Sequence, residues 1–433
     1  MKKLSLLLII ATLLATSCAT VGPEYISDAP LLSTESVILD NAAKARLDRM
    51  LSSYVYAGDV AGISALVYEN GQEQYYNAYG HQDRENGIRM NRNTIVKIYS
   101  MTKPITGVAL MTLYEQGAFE LDDPLEKYAP EFANMQVYDG VNPDGSMKLV
   151  PAKRSITIRD ITRHTAGFVN RGDIPGLSEV ATAADPTNRE NTLSEMAQKL
   201  ASIPLWFHPG EQWEYGVSVD VQAYLVEKLS GVRYRDYVRQ NVLDPLGMNE
   251  TRYYVPEEDR DRFAAMYYRS DEGELSRLPD DEAHIENFEK WPLDRGGWGL
   301  TSTLDDYMKF VQMLANGGTL DGTQILKPET IELMATNHLD ESIEERSWLP
   351  SKGQVGFGID FAVRLRAPAD AQENFGHVGE FFWDGAASTL FWVDPVHDLT
   401  AVLFVQLFPY DKIKLHKSFR DAVYGANQEL YRE

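Results

Sequence analysis

The sequence predicts an α+β fold: an antiparallel sheet flanked by helices, built from both termini, with a mostly helical domain inserted between. Three observations lead there. Near the start, Gly62-Ile-Ser-Ala-Leu-Val-Tyr-Glu and Gln72-Glu-Gln-Tyr-Tyr-Asn-Ala-Tyr are strand-like runs around Asn70-Gly71, a strong hairpin signal. Near the end, Thr389-Leu-Phe-Trp-Val-Asp and Leu399-Thr-Ala-Val-Leu-Phe-Val flank Pro395-Val-His-Asp, a second hairpin. Between them, from Gly117 to about position 290, the chain reads as helix and loop with many Pro, Gly and Asp. Strands at both ends and helices between imply one sheet closed by the two termini. The expected sheet domain is 39–103 with 295–433, and the expected helical domain is 104–294.

The elements follow in order. Met1-Lys2-Lys3 is a basic start, and Leu4 to Leu14 is an apolar run short for a bilayer span and right for a signal peptide. Ala15-Thr16-Ser17-Cys18 ends it and resembles a bacterial lipoprotein signal, in which Cys18 is lipidated and becomes the mature N-terminus. The expectation is a signal peptide over 1–17, a tether over 18–38, and an exported protein held at the periplasmic side of a membrane through lipid on Cys18. Apolar spacing predicts helices over 42–56, 101–116 (closed by Gly117), 305–316 (ended by Gly317-Gly318) and 413–431.

Composition bounds the function. With 433 residues, 44% hydrophobic and 24% charged, the chain is globular rather than disordered. A single cysteine excludes an intrachain disulfide and a cysteine zinc site. The net charge of −23 repels phosphate and argues against nucleic acid as a partner.

GxSxG, HExxH, P-loop, GxGxxG and EF-hand patterns are absent. What remains is Tyr99-Ser100-Met101-Thr102-Lys103-Pro104. Ser100 and Lys103, three apart, share one helix face, and Pro104 is tolerated only in the first turn, which places Ser100 at the helix start. An amine beside a hydroxyl can serve as its base. Taken alone, a helix cap with a solvated lysine explains this motif equally well. A second segment, Trp213-Glu-Tyr215-Gly-Val217-Ser-Val, runs into a helix, where a tyrosine is commonly a core aromatic. A third, Trp383-Asp384-Gly385-Ala386-Ala387, enters the last hairpin, where a glycine marks either a bulge or a close approach to ligand.

In this order, the three segments resemble the serine β-lactamase and penicillin-binding-protein superfamily, and within it the class C β-lactamase-like esterases. Supporting matches include Ile156-Thr-Ile-Arg-Asp160-Ile161 with His164-Thr-Ala-Gly167, Pro245-Leu-Gly-Met248, Gly299-Leu-Thr-Ser302 and Phe391-Trp-Val-Asp-Pro395. The resemblance implies a β-lactamase/transpeptidase-like fold with Ser100 as nucleophile, Lys103 as base and Tyr215 as proton shuttle. It also implies an oxyanion hole from the backbone N–H groups of Ser100 and Ala386. Val217 stands where a lactamase has Asn, and Trp383-Asp384-Gly385 stands where it has Lys-Thr-Gly; the esterase branch has Trp-Gly-Gly there. A pocket lined by Val217, Trp383, Asp384 and Gly385 lacks the amide and cation that meet a substrate carboxylate. Asp384 either faces that pocket or points away from it, because strand side chains alternate. His377-Val-Gly379 competes with Trp383 for the third motif, at a spacing less suited to it.

His164 is expected to be structural, a buried donor tying down a loop. The remaining histidines show no metal-ligand spacing, so neither metal nor cofactor is expected. The resulting expectation is a serine hydrolase of small neutral carboxylic esters acting through an acyl-enzyme. The alternatives are a cell-wall D-amino-acid peptidase or amidase, a weak β-lactamase, and a non-catalytic binding module of the same fold.

Overall fold

Asn70 and Gly71 both take left-handed backbone (φ 52° and 67°), the conformation a two-residue hairpin turn requires. They join β1 (Gly62–Glu69) to β2 (Gln72–Asp83), and β3 (Ile88–Arg89) continues outward. Helix α1 (Asn41–Tyr56) precedes them, its first turn capped by the Asp40 carboxylate, which accepts from the Ala43 N–H at 2.7 Å. From the other end of the chain come β4 (Val355–Phe357), β5 (Ala362–Arg364), β6 (Phe381–Asp384), β7 (Leu390–Asp394) and β8 (Leu399–Val405). The computed structural model describes residues 38–426 apart from position 171. Cys18, the expected signal peptide, nearly all of the tether and the end of the expected closing helix lie outside those residues.

The two groups of strands form one eight-stranded sheet in the order β4-β5-β6-β7-β8-β1-β2-β3, every pair antiparallel. The two groups are joined by the pairing of β1 with β8, from Ile63 opposite Val405 to Glu69 opposite Leu399. All seven residues of β8 are buried, as they must be in a strand covered on both faces. The covering helices are read from two adjacent residues of β7. Phe391 lies 5.4 Å from Tyr307 of α4 (Leu304–Ala315). Trp392, on the opposite face, lies 5.2 Å from Phe419 of α5 (Leu415–Tyr424).

Helix α2 (Thr102–Glu115) is buried on nearly every side and packs against α3 (Ser218–Ser230), which ends at Gly231 in left-handed conformation. These helices link the sheet to the middle of the chain. That middle is not only helix and loop. It also holds a hairpin, Gln136–Val141 with Met147–Pro151, and a ribbon in which Tyr267–Arg269 pairs with both Leu275–Arg277 and Leu407–Phe408. Among the described residues, no helix is long and apolar enough to cross a membrane.

Candidate active site

Ser100 sits in a 3-10 turn, Tyr99–Met101, that feeds directly into α2, and Pro104 is the third residue of that helix, where its missing N–H leaves no bond broken. Tyr99 is held at φ 47°, an uncommon backbone for a bulky residue, by Trp298 stacked at 6.1 Å and Phe408 edge-on at 5.6 Å. The turn is fastened on both sides: the Ile98 N–H donates to the Leu300 carbonyl (3.1 Å), and the Tyr307 hydroxyl donates to the Met101 carbonyl (2.8 Å).

Lys103 is not a solvated lysine. It is 3% exposed, and its Nζ donates to Ser100 Oγ at 3.3 Å and to the Gly297 carbonyl at 2.7 Å. The same Nζ also stands 4.5 Å from the Tyr215 ring centroid. Among the described residues no carboxylate pairs with it, although Asp220 holds its neighbour by accepting from the Gly297 N–H at 3.1 Å. Ser100 itself is only half-buried, whereas its amine partner is enclosed.

Tyr215 precedes α3 and is clasped by rings: His164 at 4.7 Å, Trp348 at 5.1 Å, Trp383 at 5.4 Å and Trp213 at 6.0 Å. The Trp383 indole N–H donates to Tyr215 Oη at 3.2 Å, and the Asn170 side chain donates to the Tyr215 carbonyl at 2.8 Å. An indole only donates, so Tyr215 Oη accepts there and keeps its own proton for another partner. Val217 lies at the N-terminal end of α3, half-buried and two residues from Tyr215.

Trp383 pairs across the ladder with Phe391 and shares its face, the α4 side. Asp384, the next residue, therefore points the other way. There it is paired with Lys352 and accepts from the Tyr410 hydroxyl at 2.7 Å, with His416 Nδ1 at 4.0 Å. Lys352 is 4% exposed, and its charge also lies over the rings of Tyr410, Trp348 and Trp383 at 4.4, 5.2 and 5.4 Å. Gly385 is needed for proximity: a β-carbon there would stand 2.5 Å from the Ile98 carbonyl oxygen, on the turn that carries Ser100. The end of β6 thus lies against that turn, bringing the half-buried Ala386 into the same region.

Two expectations need correction. His164 is fully buried but ties down no loop through its ring, since neither ring nitrogen has a hydrogen-bond partner among the described residues; it packs as an aromatic against Tyr215, Trp213 and Phe357. Burial, with Lys103 nearby, holds its pKa well below the ordinary 6.5, so the ring is neutral. The histidines are also not all scattered: His377 and His397 meet at the far end of the sheet from Ser100. His377 accordingly takes no part in the cluster around Ser100, where Trp383 stands. Sequence reasoning does not reach Lys352 and Trp348, because a lone lysine and a lone tryptophan in an irregular segment carry no spacing signal.

The family model described as Beta-lactamase matches residues 47–424. An uncharacterized protein of Mycobacterium tuberculosis is 33% identical over 358 residues, covering 82% of this chain and 87% of its own length. Esterase EstB of Burkholderia gladioli is 29% identical over 405 residues, covering 88% and 95%. Among solved structures, EstCE1, a hydrolase with promiscuous acyltransferase activity, superposes at TM-score 0.71 and 25% identity, covering 89% of this chain and 99% of that one. Simvastatin synthase (LovD) from Aspergillus terreus superposes at TM-score 0.77 and 22% identity over the same shares, a likeness of fold alone.

Proposed function

The chain belongs to the Beta-lactamase family and is a serine hydrolase, and from that premise we propose that it cleaves small neutral carboxylic esters through an acyl-enzyme on Ser100. The observation that carries this reading is the contact of Ser100 Oγ with the buried Lys103 amine, itself seated on the Tyr215 ring. Ser100 Oγ attacks the ester carbonyl and its proton passes to the Lys103 amine, which acts in its unprotonated form. The Ser100 and Ala386 N–H groups receive the developing oxyanion. Tyr215 returns a proton to the departing alkoxide, and water then releases the acid.

The neutral-ester preference rests on the walls. Trp383, Trp348 and Val217 are apolar, and the lysine beside Trp383 is already paired with Asp384. A carboxylate against these walls loses hydration without gaining a free cation from them. Purified protein is expected to turn over a nitrophenyl butyrate at least a hundredfold better in kcat/KM than a cephalosporin or a D-Ala-D-Ala peptide. Ser100→Ala is expected to lose several orders of magnitude in kcat with an unchanged circular dichroism spectrum. Near-native turnover by that variant rejects the mechanism; a winning carboxylate substrate rejects the pocket. Transfer of the acyl group to an alcohol is the second reading, supported by the promiscuous acyltransferase activity of EstCE1. Ester formed when a small alcohol is added tests it.

We also propose that the enzyme is exported and held at the periplasmic side of a bacterial membrane, through lipid on Cys18 after a basic and apolar leader. Native protein is expected in the membrane fraction, and Cys18→Ser is expected to release or misprocess it. Wild-type protein found wholly soluble, with its N-terminus elsewhere, rejects the anchor.

A further inference from the structure

At the end of the sheet remote from Ser100, the segment leading into β6 meets the turn between β7 and β8. His377, on the first, places Nε2 3.3 Å from Nε2 of His397, on the second. The other nitrogen of His377 is committed: Nδ1 lies 2.8 Å from Asp394 Oδ2, and a carboxylate only accepts, so Nδ1 donates and Nε2 presents a lone pair outward. Asp394 is fully buried and fixed on every side. Its Oδ2 also accepts from the Tyr424 hydroxyl (2.9 Å), which in turn accepts from the Trp392 indole (2.9 Å), and its Oδ1 accepts from the Val396 N–H (2.9 Å).

We propose that His377 and His397 bind one borderline divalent cation of the zinc type through their Nε2 atoms, with Asp394 orienting His377 from behind. Two imidazole nitrogens on a tetrahedral ion at about 2.0–2.1 Å must lie about 3.3–3.4 Å apart, the separation found here. The carboxylate–imidazole arrangement is the one that fixes ring orientation and raises ligand basicity in histidine metal sites. The nitrogens and an oxygen of Asp394 lie within 4.8 Å of one another, and His377 is 28% exposed, leaving the remaining coordination positions to water. A cation held there clips the β7–β8 turn to the entry of β6 and takes no part in the chemistry at Ser100.

The test is calorimetric titration of untagged protein with Zn²⁺, alongside thermal unfolding with and without the ion. One saturable equivalent and a raised unfolding midpoint are expected. His397→Ala, a change at a half-buried position of a turn remote from Ser100, is expected to abolish both while leaving ester turnover within twofold of wild type. Asp394→Asn is expected to weaken binding about 10- to 100-fold. No saturable binding by the wild-type protein overturns the proposal and leaves only a histidine–histidine hydrogen bond. Binding undiminished in the His377→Ala/His397→Ala variant overturns it equally, by placing the ion elsewhere.

Discussion

Trp383 does two things to Tyr215 at once: it walls one side of the ring and donates to the hydroxyl. Trp383→Phe separates them, keeping an apolar wall and removing the donor. A neutral hydrogen bond is worth about 1 kcal/mol, so kcat is expected to fall roughly five- to tenfold while KM stays within twofold. A rise in KM with kcat unchanged would assign the indole to substrate contact instead. On the opposite face of β6, Lys352 and Asp384 are enclosed together. Lys352→Met strands a buried carboxylate, at an expected cost of about 3 kcal/mol in urea unfolding, and adding Asp384→Asn is expected to recover at least half of it. Additive losses would show the pair uncoupled. Ser100, Lys103 and Tyr215 are legible in the sequence because the order of their motifs carries information that no single motif does. Lys352 is not, since only the fold brings it to Asp384. The alternation of strand side chains frames the question of where Asp384 points, but only the ladder register of β6, with Trp383 opposite Phe391, answers it.

The elements that read most clearly are those with the strongest local chemistry: the Asn70-Gly71 hairpin, the helix after Ser100, and the continuous apolar runs that form β7 and β8. Less legible are Gln136–Val141 and Met147–Pro151, whose residues are largely exposed and so show little apolar alternation, although Asp144-Gly145 is a fair turn signal. The meeting of His377 with His397 is hidden for a different reason. They are brought together by the antiparallel return of the chain, not by a spacing along it. Gly385 shows how tightly one element's end is tied to another's start. Gly385→Ala must push β6 off the Ile98 carbonyl by several tenths of an ångström or more, shifting Ala386 relative to Ser100. Catalysis is far more sensitive to such a shift than stability is. A loss of about a hundredfold in kcat is expected, with cooperative unfolding retained; native-like kcat would remove Ala386 from the oxyanion hole.

Across the whole molecule, burial sets how acid acts. His164, His284 and His338 are held below the ordinary histidine value by burial, His284 at about 4. Asp360 and Asp398 are pushed above the ordinary carboxyl value, again by burial. Above pH 6.5 the histidines are neutral whether folded or not, so their contribution to stability is fully present. As pH falls from 6.5 toward 4, the unfolded chain takes up protons on these histidines that the folded one refuses, and stability drops. The two acids run the other way, because the folded state holds protons the unfolded chain has released. The histidines outnumber the acids, so stability is expected to fall overall as pH drops through that window. Urea unfolding at stepped pH is expected to show this slope, and His164→Gln to flatten it. A slope of opposite sign would mean that the acids dominate.

The first strand of the sheet to be made, β1, is completed last. Ile63 waits for Val405, and until residue 405 has left the ribosome β1 has a partner on one edge only. Nearly the whole chain must be synthesised before the barrier to folding can be crossed, and long-range pairing of this kind is slow. For an exported chain, as we propose this one to be, such lateness is useful: it stays slack enough to thread a translocation channel. The same delay leaves an apolar edge open in transit, so the newly made chain is expected to need a holding chaperone that the mature enzyme never meets again.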